Sequence, residues 1–254
     1  MIHADLQVPT VEKTYNLRRI RNPRPEYTNR YGFQATIIHC DLTQLSMKRG
    51  LKKFKKKGEN AVTVEMEQLH RRDAFQPVRT EIITENQKHE LLTLLMFLKE
   101  KQDGSIKGRG VADGIQKREK IEPKDSTSPT VSTEAAMLTA TIDAIEGRDV
   151  AVVDIPGAYL SSYMDDEVQV MFKGALAEMI VMVDPALYQP FVSYETGKLV
   201  LYVQLQKALY GCLKSALLFY EKLVGDLEAH GFKINPYDPC VANTMIGGKQ
   251  LTVC

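Results

Sequence analysis

The residue best placed for chemistry is Asp154, which follows the run Val150, Ala151, Val152 and Val153. A β-branched run of this length predicts a buried strand over 150–155, with the carboxylate emerging at its end. Pro156, Gly157 and Ala158 come next. Small residues beside a carboxylate leave room for a ligand to approach. A hard cation such as Mg2+ takes oxygen ligands of this kind, together with substrate phosphates. Taken alone, Asp154 reads first as a strand-ending turn cap. Two further carboxylates, Asp165 and Asp166, lie beside Glu167 and read as a solvated acidic turn. On the segment SIKGRGVADG (105–114), Lys107 and Arg109 lie on a Gly-punctuated arm, which alone reads as a charged surface hairpin.

The elements that must hold these residues divide into two regimes. The front, residues 1–57, is loop-rich and basic: from Lys13 to Lys57 there are thirteen Lys or Arg and two acids. From Thr141 to Glu195 there are ten Asp or Glu and two bases. Such asymmetry fits a protein that meets a polyanion with one part and metal ions with another, or else two solvated faces. Helical spacing of Val62, Met66 and Leu69 predicts a helix at 59–72. The Leu-rich stretch Gln87–Lys101 predicts a second helix, and residues 115–130 an exposed connection. A third helix is predicted over 132–147, closed by a Gly suited to a left-handed cap. Strands are predicted at 168–172 and 198–205, a long helix at 213–230, and a hairpin from 241 to 254.

The four cysteines stand far apart, with neither metal-ligand nor disulfide spacing, which predicts an intracellular, reduced protein. The N-terminus has no signal-peptide pattern. The longest apolar run, at 91–98, is far short of the ~20 residues a membrane span needs, so no membrane partner is expected.

Five segments in order resemble copia-type retrotransposon reverse transcriptases. LKKFKKKGENAVTVEMEQLHRRDAFQPV (51–78) resembles the stretch before that family's fingers, and KGRGVADG (107–114) its finger hairpin. SPTVSTEAAMLTATIDAI (128–145) is similar to the helix before its first catalytic strand, and VVDIPGAYLSSYMDDEVQVMF (152–172) to its first catalytic segment. LQKALYGCLKSALLFYEKLVGDLEAHGFKINPYDPCVANTMI (205–246) resembles its second conserved block. The resemblance covers residues from about 50 to 254.

That likeness implies an α+β right-hand polymerase: a basic leader (1–57), a fingers-like region (58–127) and a partial palm (128–254) whose antiparallel sheet is backed by helices. The expected activity is RNA-directed DNA polymerisation with two Mg2+ ions, on an RNA template and DNA primer with deoxynucleoside triphosphates. The remainder of a polyprotein, with further palm and RNase H, would be its partner. By position, the resemblance makes Asp154 the first metal ligand, with the carbonyl of Ile155 beside it. It makes Tyr159 the ring under the incoming sugar, and Lys107 and Arg109 the bases that hold the triphosphate. Tyr210, Gly211 and Lys214 match the turn that touches nucleotide and template, although LKSA (213–216) stands where the family usually has Gln and Pro.

The tetrad Tyr163-Met164-Asp165-Asp166 looks like a retroviral polymerase signature, but it begins only nine residues after Asp154 and precedes the LYG turn. The family's own Asp-Asp turn is expected after LTVC (251–254). One aspartate cannot hold two ions about 3.5–4 Å apart, so the chain by itself is expected to be inactive. A non-catalytic nucleic-acid-binding remnant is the alternative. A carboxylate metal hydrolase on Asp154, Asp165 and Asp166 is disfavoured by the lack of nearby His ligands or a general base.

Overall fold

The computed structural model describes residues 44–114 and 126–254. Residues 1–43, most of the basic leader, and most of the connection predicted at 115–130 lie outside the described residues. Leu45–Cys254 forms one compact unit. A two-residue strand, β1 (Leu45–Ser46), leads into α1 (Met47–Phe54) and α2 (Lys56–Arg71). Then come β2 (Phe75–Val78), α3 (Glu85–Glu90), β3 (Leu92–Glu100), β4 (Ile106–Ala112) and α4 (Thr133–Glu146). After these lie β5 (Gln169–Lys173), α5 (Ala175–Val183), α6 (Pro185–Tyr188), β6 (Val192–Glu195) and β7 (Lys198–Leu205). The last elements are α7 (Ser215–Ala229), β8 (Lys233–Ile234), β9 (Ala242–Ile246) and β10 (Lys249–Val253).

The protein is α+β, a seven-stranded sheet backed by helices. The sheet runs β1-β3-β5-β7-β2, with β4 on β3 and β6 on β7. Its strands come from both sides of position 128, because β5 pairs with β3 and β7 with β2. The expected purely antiparallel sheet is corrected at one place: β3 and β5 run parallel, making the sheet mixed. Val62, Met66 and Leu69 of α2 are buried as their spacing predicts, against Leu94, Met96, Leu98, Val170, Phe172 and Val203. Ile180 of α5 joins the same core.

Three expectations differ. The described end of the leader, expected to be loop-rich, forms β1, α1 and the start of α2, because Leu51 and Phe54 pack against the core. The helix expected over Gln87–Lys101 is a short helix followed by a strand. Thr84 and Gln87 close a capping box at the start of α3, and the chain then extends. Leu92, Leu94, Met96 and Leu98 are buried in strict alternation, and β4 pairs with β3 from Leu94↔Ala112 to Glu100↔Ile106. Leu, Met and Lys favour helices intrinsically, but a two-sided partner strand overrides so weak a preference.

The strand expected over 150–155 is also absent: the segment has no regular structure, and Val152 is 98% exposed. A strand exists only through a neighbour's hydrogen bonds, and none of the described strands pairs with this run. Its expected neighbour, β10, belongs to a separate three-stranded sheet, β10-β9-β8. The expectation that Asp154 and 251–254 lie on adjacent strands of one sheet is therefore corrected.

Candidate functional site

The β3–β4 hairpin has two unlike faces. Leu94, Met96 and Leu98 pair with Ala112, Gly110 and Gly108 on the buried face. Phe97 and Lys99 pair with Arg109 and Lys107 on the other, so the two bases share one face. Gly108 is required because α2 lies against the arm: a Cβ there would meet the Ala61 carbonyl oxygen at 2.6 Å. The outer edge of β4 is satisfied by two unrelated groups. Glu65 accepts from the Gly110 N–H at 2.9 Å, and the Tyr210 carbonyl accepts from the Ala112 N–H at 2.8 Å. Burial pushes the Glu65 carboxyl above its usual range, against the opposing pull of the Gly110 N–H, Lys107 and Arg109.

That second bond ties the turn before α7 to the hairpin. Gly211 has φ +91°, and a Cβ on it would lie 1.9 Å from the Ala112 carbonyl oxygen, so only Gly fits. The buried Ser215 hydroxyl donates to the Leu209 carbonyl at 2.6 Å and braces the same turn. Tyr210 is thereby aimed at the open face of the hairpin. The Arg109 guanidinium sits 4.7 Å from its ring centre, and the Tyr159 ring packs 4.5 Å away. Tyr159 also meets Phe219 of α7 edge-on at 6.2 Å. Tyr159 opens a 3-10 turn anchored by the buried Leu160. Just ahead of it, Arg72 donates to the carbonyls of Pro156 and Gly157 at 3.1 and 3.4 Å.

The structure thus brings together Arg109, Tyr159, Tyr210 and Gly211. Lys107 is exposed on the same hairpin face and lines a groove of about 460 Å3 between α2 and the hairpin, with Lys57, Asn60, Gln68 and Lys101. Lys214 is engaged otherwise: its ammonium lies 2.7 Å from Asp166 and 3.2 Å from Asp165. Asp166, accepting from it, holds Lys214 above the usual lysine range, with Asp165 adding to the effect. Asp154 and Ile155 are exposed on the irregular segment. Among the described residues the Asp154 carboxylate makes no hydrogen bond or ion pair.

Sequence reasoning did not single out Glu65, Arg72 or Phe219. Each acts through a contact with a distant segment, and nothing local marks it. The described part of the basic front is exposed on α1 and the start of α2, where Lys48, Arg49, Lys52, Lys53 and Lys57 face solvent. No helix among the described residues is long and apolar enough to cross a membrane. Among the same residues, no three His, Cys, Asp or Glu side chains gather as ligands for one ion. Neither a protein-family model, nor a curated protein, nor a solved structure matches this chain.

Proposed function

We propose that the chain is the fingers and the front of the palm of a copia-type reverse transcriptase, an intracellular RNA-directed DNA polymerase. The observation that carries this reading is the convergence of Arg109, Tyr210 and Tyr159. They come from three separate segments that the resemblance marks independently, and they meet at one ring cluster. On this reading Arg109, a planar cation with fixed donors, receives the triphosphate of a deoxynucleotide. Lys107, exposed beside it, adds charge. The Tyr159 ring excludes a 2′-hydroxyl by size, and the Tyr210–Gly211 turn meets the base and the template. Asp154, with the carbonyl of Ile155, would contribute to one of two Mg2+ ions in the parent polymerase. The other ligands would come from another segment, and an RNase H would complete the polyprotein.

A second reading is supported by a specific contrast. The aromatic–basic cluster and the basic surface of α1 are formed, whereas Asp154 stands on an exposed irregular segment. A non-catalytic module that holds RNA or an RNA–DNA hybrid needs only the former.

The test is retention of a fluorescent deoxynucleotide by the chain on a primed RNA template. The polymerase reading expects the complementary nucleotide to be retained over the other three, and Arg109→Ala to weaken its retention. Equal retention of all four, with or without Arg109, overturns it. The binding-module reading instead expects hybrid binding that falls with salt by about 0.7–0.9 log units per phosphate contact and log unit of salt, with no nucleotide preference.

A further inference from the structure

We propose that Asp165 and Asp166 are positioning residues: with Lys214 they latch the loop after Tyr159 to the start of α7, and so hold the Tyr210 ring between Arg109 and Tyr159. The latch has a charged part and a backbone part. Lys214 is only 22% exposed and has two carboxylate partners, at 2.7 and 3.2 Å. The loop that carries these carboxylates is strapped to the segment just before the Tyr210 turn. Met164 N–H donates to the Gln206 carbonyl at 3.0 Å, and Ala208 N–H donates to the Ser162 carbonyl at 2.9 Å. Tyr163 and Lys207 form a β-bridge, with the Lys207 ammonium 5.4 Å from the Tyr163 ring.

An exposed ion pair usually contributes little, because two long side chains lose freedom to form it. Here the short Asp side chains stand on a strapped loop, so less freedom is lost. The need for them is visible at α7. Its N-cap position is Lys214, with no side-chain cap and no acid in the first turn. A cation at the positive end of a helix dipole is unfavourable, and two carboxylates reverse the local charge. The latched triad carries a net charge of about −1 by formal charges at neutral pH. Lys214 therefore acts on the turn and offers an anionic ligand no positive field while latched.

The latch stands on geometry alone; the nucleotide role of the ring cluster it holds rests on the polymerase reading. The chain has no Trp, so Tyr210→Trp places a single reporter in the cluster. In that background Asp165→Asn with Asp166→Asn should red-shift the emission. It should also raise acrylamide quenching roughly two- to fivefold, the factor surface ion pairs commonly carry. Lys214→Met should do the same, and all three changes together should add nothing further, the non-additivity of groups acting as one unit. Asp165→Glu with Asp166→Glu should restore much of the signal. Circular dichroism of each variant separates a loosened turn from an unfolded chain, and Tyr159→Trp repeats the test should Tyr210→Trp disturb the cluster. Unchanged quenching in both charge variants, or additive effects, overturns the latch. A Trp response in a parent chain that binds no nucleotide supports the latch and overturns the polymerase reading.

Discussion

The guanidinium of Arg109, on an edge strand of the large sheet, lies 4.7 Å from the centre of the Tyr210 ring, in the turn that opens α7. Its position is fixed from below, because the Ala112 N–H of the same strand donates to the Tyr210 carbonyl. One backbone bond thus sets the register between hairpin and turn, and the cation–ring contact follows from it.

Replacing Arg109 tests that contact. A cation over a Tyr face at a partly exposed site is worth about 0.5–1 kcal/mol, so Arg109→Ala should lower unfolding stability by about that much in urea titration. Arg109→Lys should recover stability only in part and should not restore full nucleotide retention, because an ammonium lacks the planar donor fork.

Glycine substitutions at two positions should have opposite signs. Gly211→Ala forces a side chain onto the Ala112 carbonyl at positive φ and should cost roughly 3 kcal/mol or more. Gly225 lies in the middle of α7, where an added Cβ meets nothing within 4 Å. Gly225→Ala should therefore stabilise by about 0.5–1 kcal/mol through helix propensity. Urea midpoints for the two variants check both signs.

Glu65 separates hydrogen bonding from charge. Glu65→Ala leaves the Gly110 N–H without its acceptor and should cost about 1–3 kcal/mol. Glu65→Gln keeps an acceptor and carries no charge to desolvate. The folded carboxyl titrates above the unfolded value of 4.5, so its contribution is fully present below that value and is lost as pH rises through the folded one. The Gln variant should therefore gain on the parent between about pH 4 and pH 7. Denaturation at the two pH values reads this; an unchanged difference refutes it.

Asp238 links the N-cap of α4 to the turn before β9. It is buried and accepts from Ser132 N–H at 2.8 Å and Cys240 N–H at 2.9 Å. The Ser132 N–H, followed by the Cys240 N–H, holds its carboxyl below the usual 3.8. Its contribution is therefore present above 3.8 and is lost as pH falls through the lower folded value. Protection factors of the α4 amides, exchange rates taken relative to the intrinsic rate at each pH, should fall on acidification through that lower value. Asp238→Asn should show the lower protection already at neutral pH.

Local pattern carried much of the fold. The helices around Val62, after Ser132 and after Lys214, the strands at 168–172 and 198–205 and the terminal hairpin are all where periodicity and capping residues put them. At 91–100 it failed, because a continuous apolar run suits a buried helix or a buried strand equally. The partner strand at 106–112 made the choice. At 150–155 a strong strand pattern yields no strand, because pattern supplies propensity and not a neighbour.

The candidate site divides along the same line. The sequence by itself determined which residue types were available: a carboxylate among small residues, two bases two positions apart, and rings at 159 and 210. Tertiary structure alone decided that Arg109 and Tyr159 share the Tyr210 ring while Asp154 is exposed on an irregular segment. It also turned Asp165 and Asp166 toward Lys214. The physical reason is that each of these contacts joins segments far apart in the chain. Their geometry is set by strand register and by backbone bonds such as that of Ala112 to Tyr210, which no local pattern encodes.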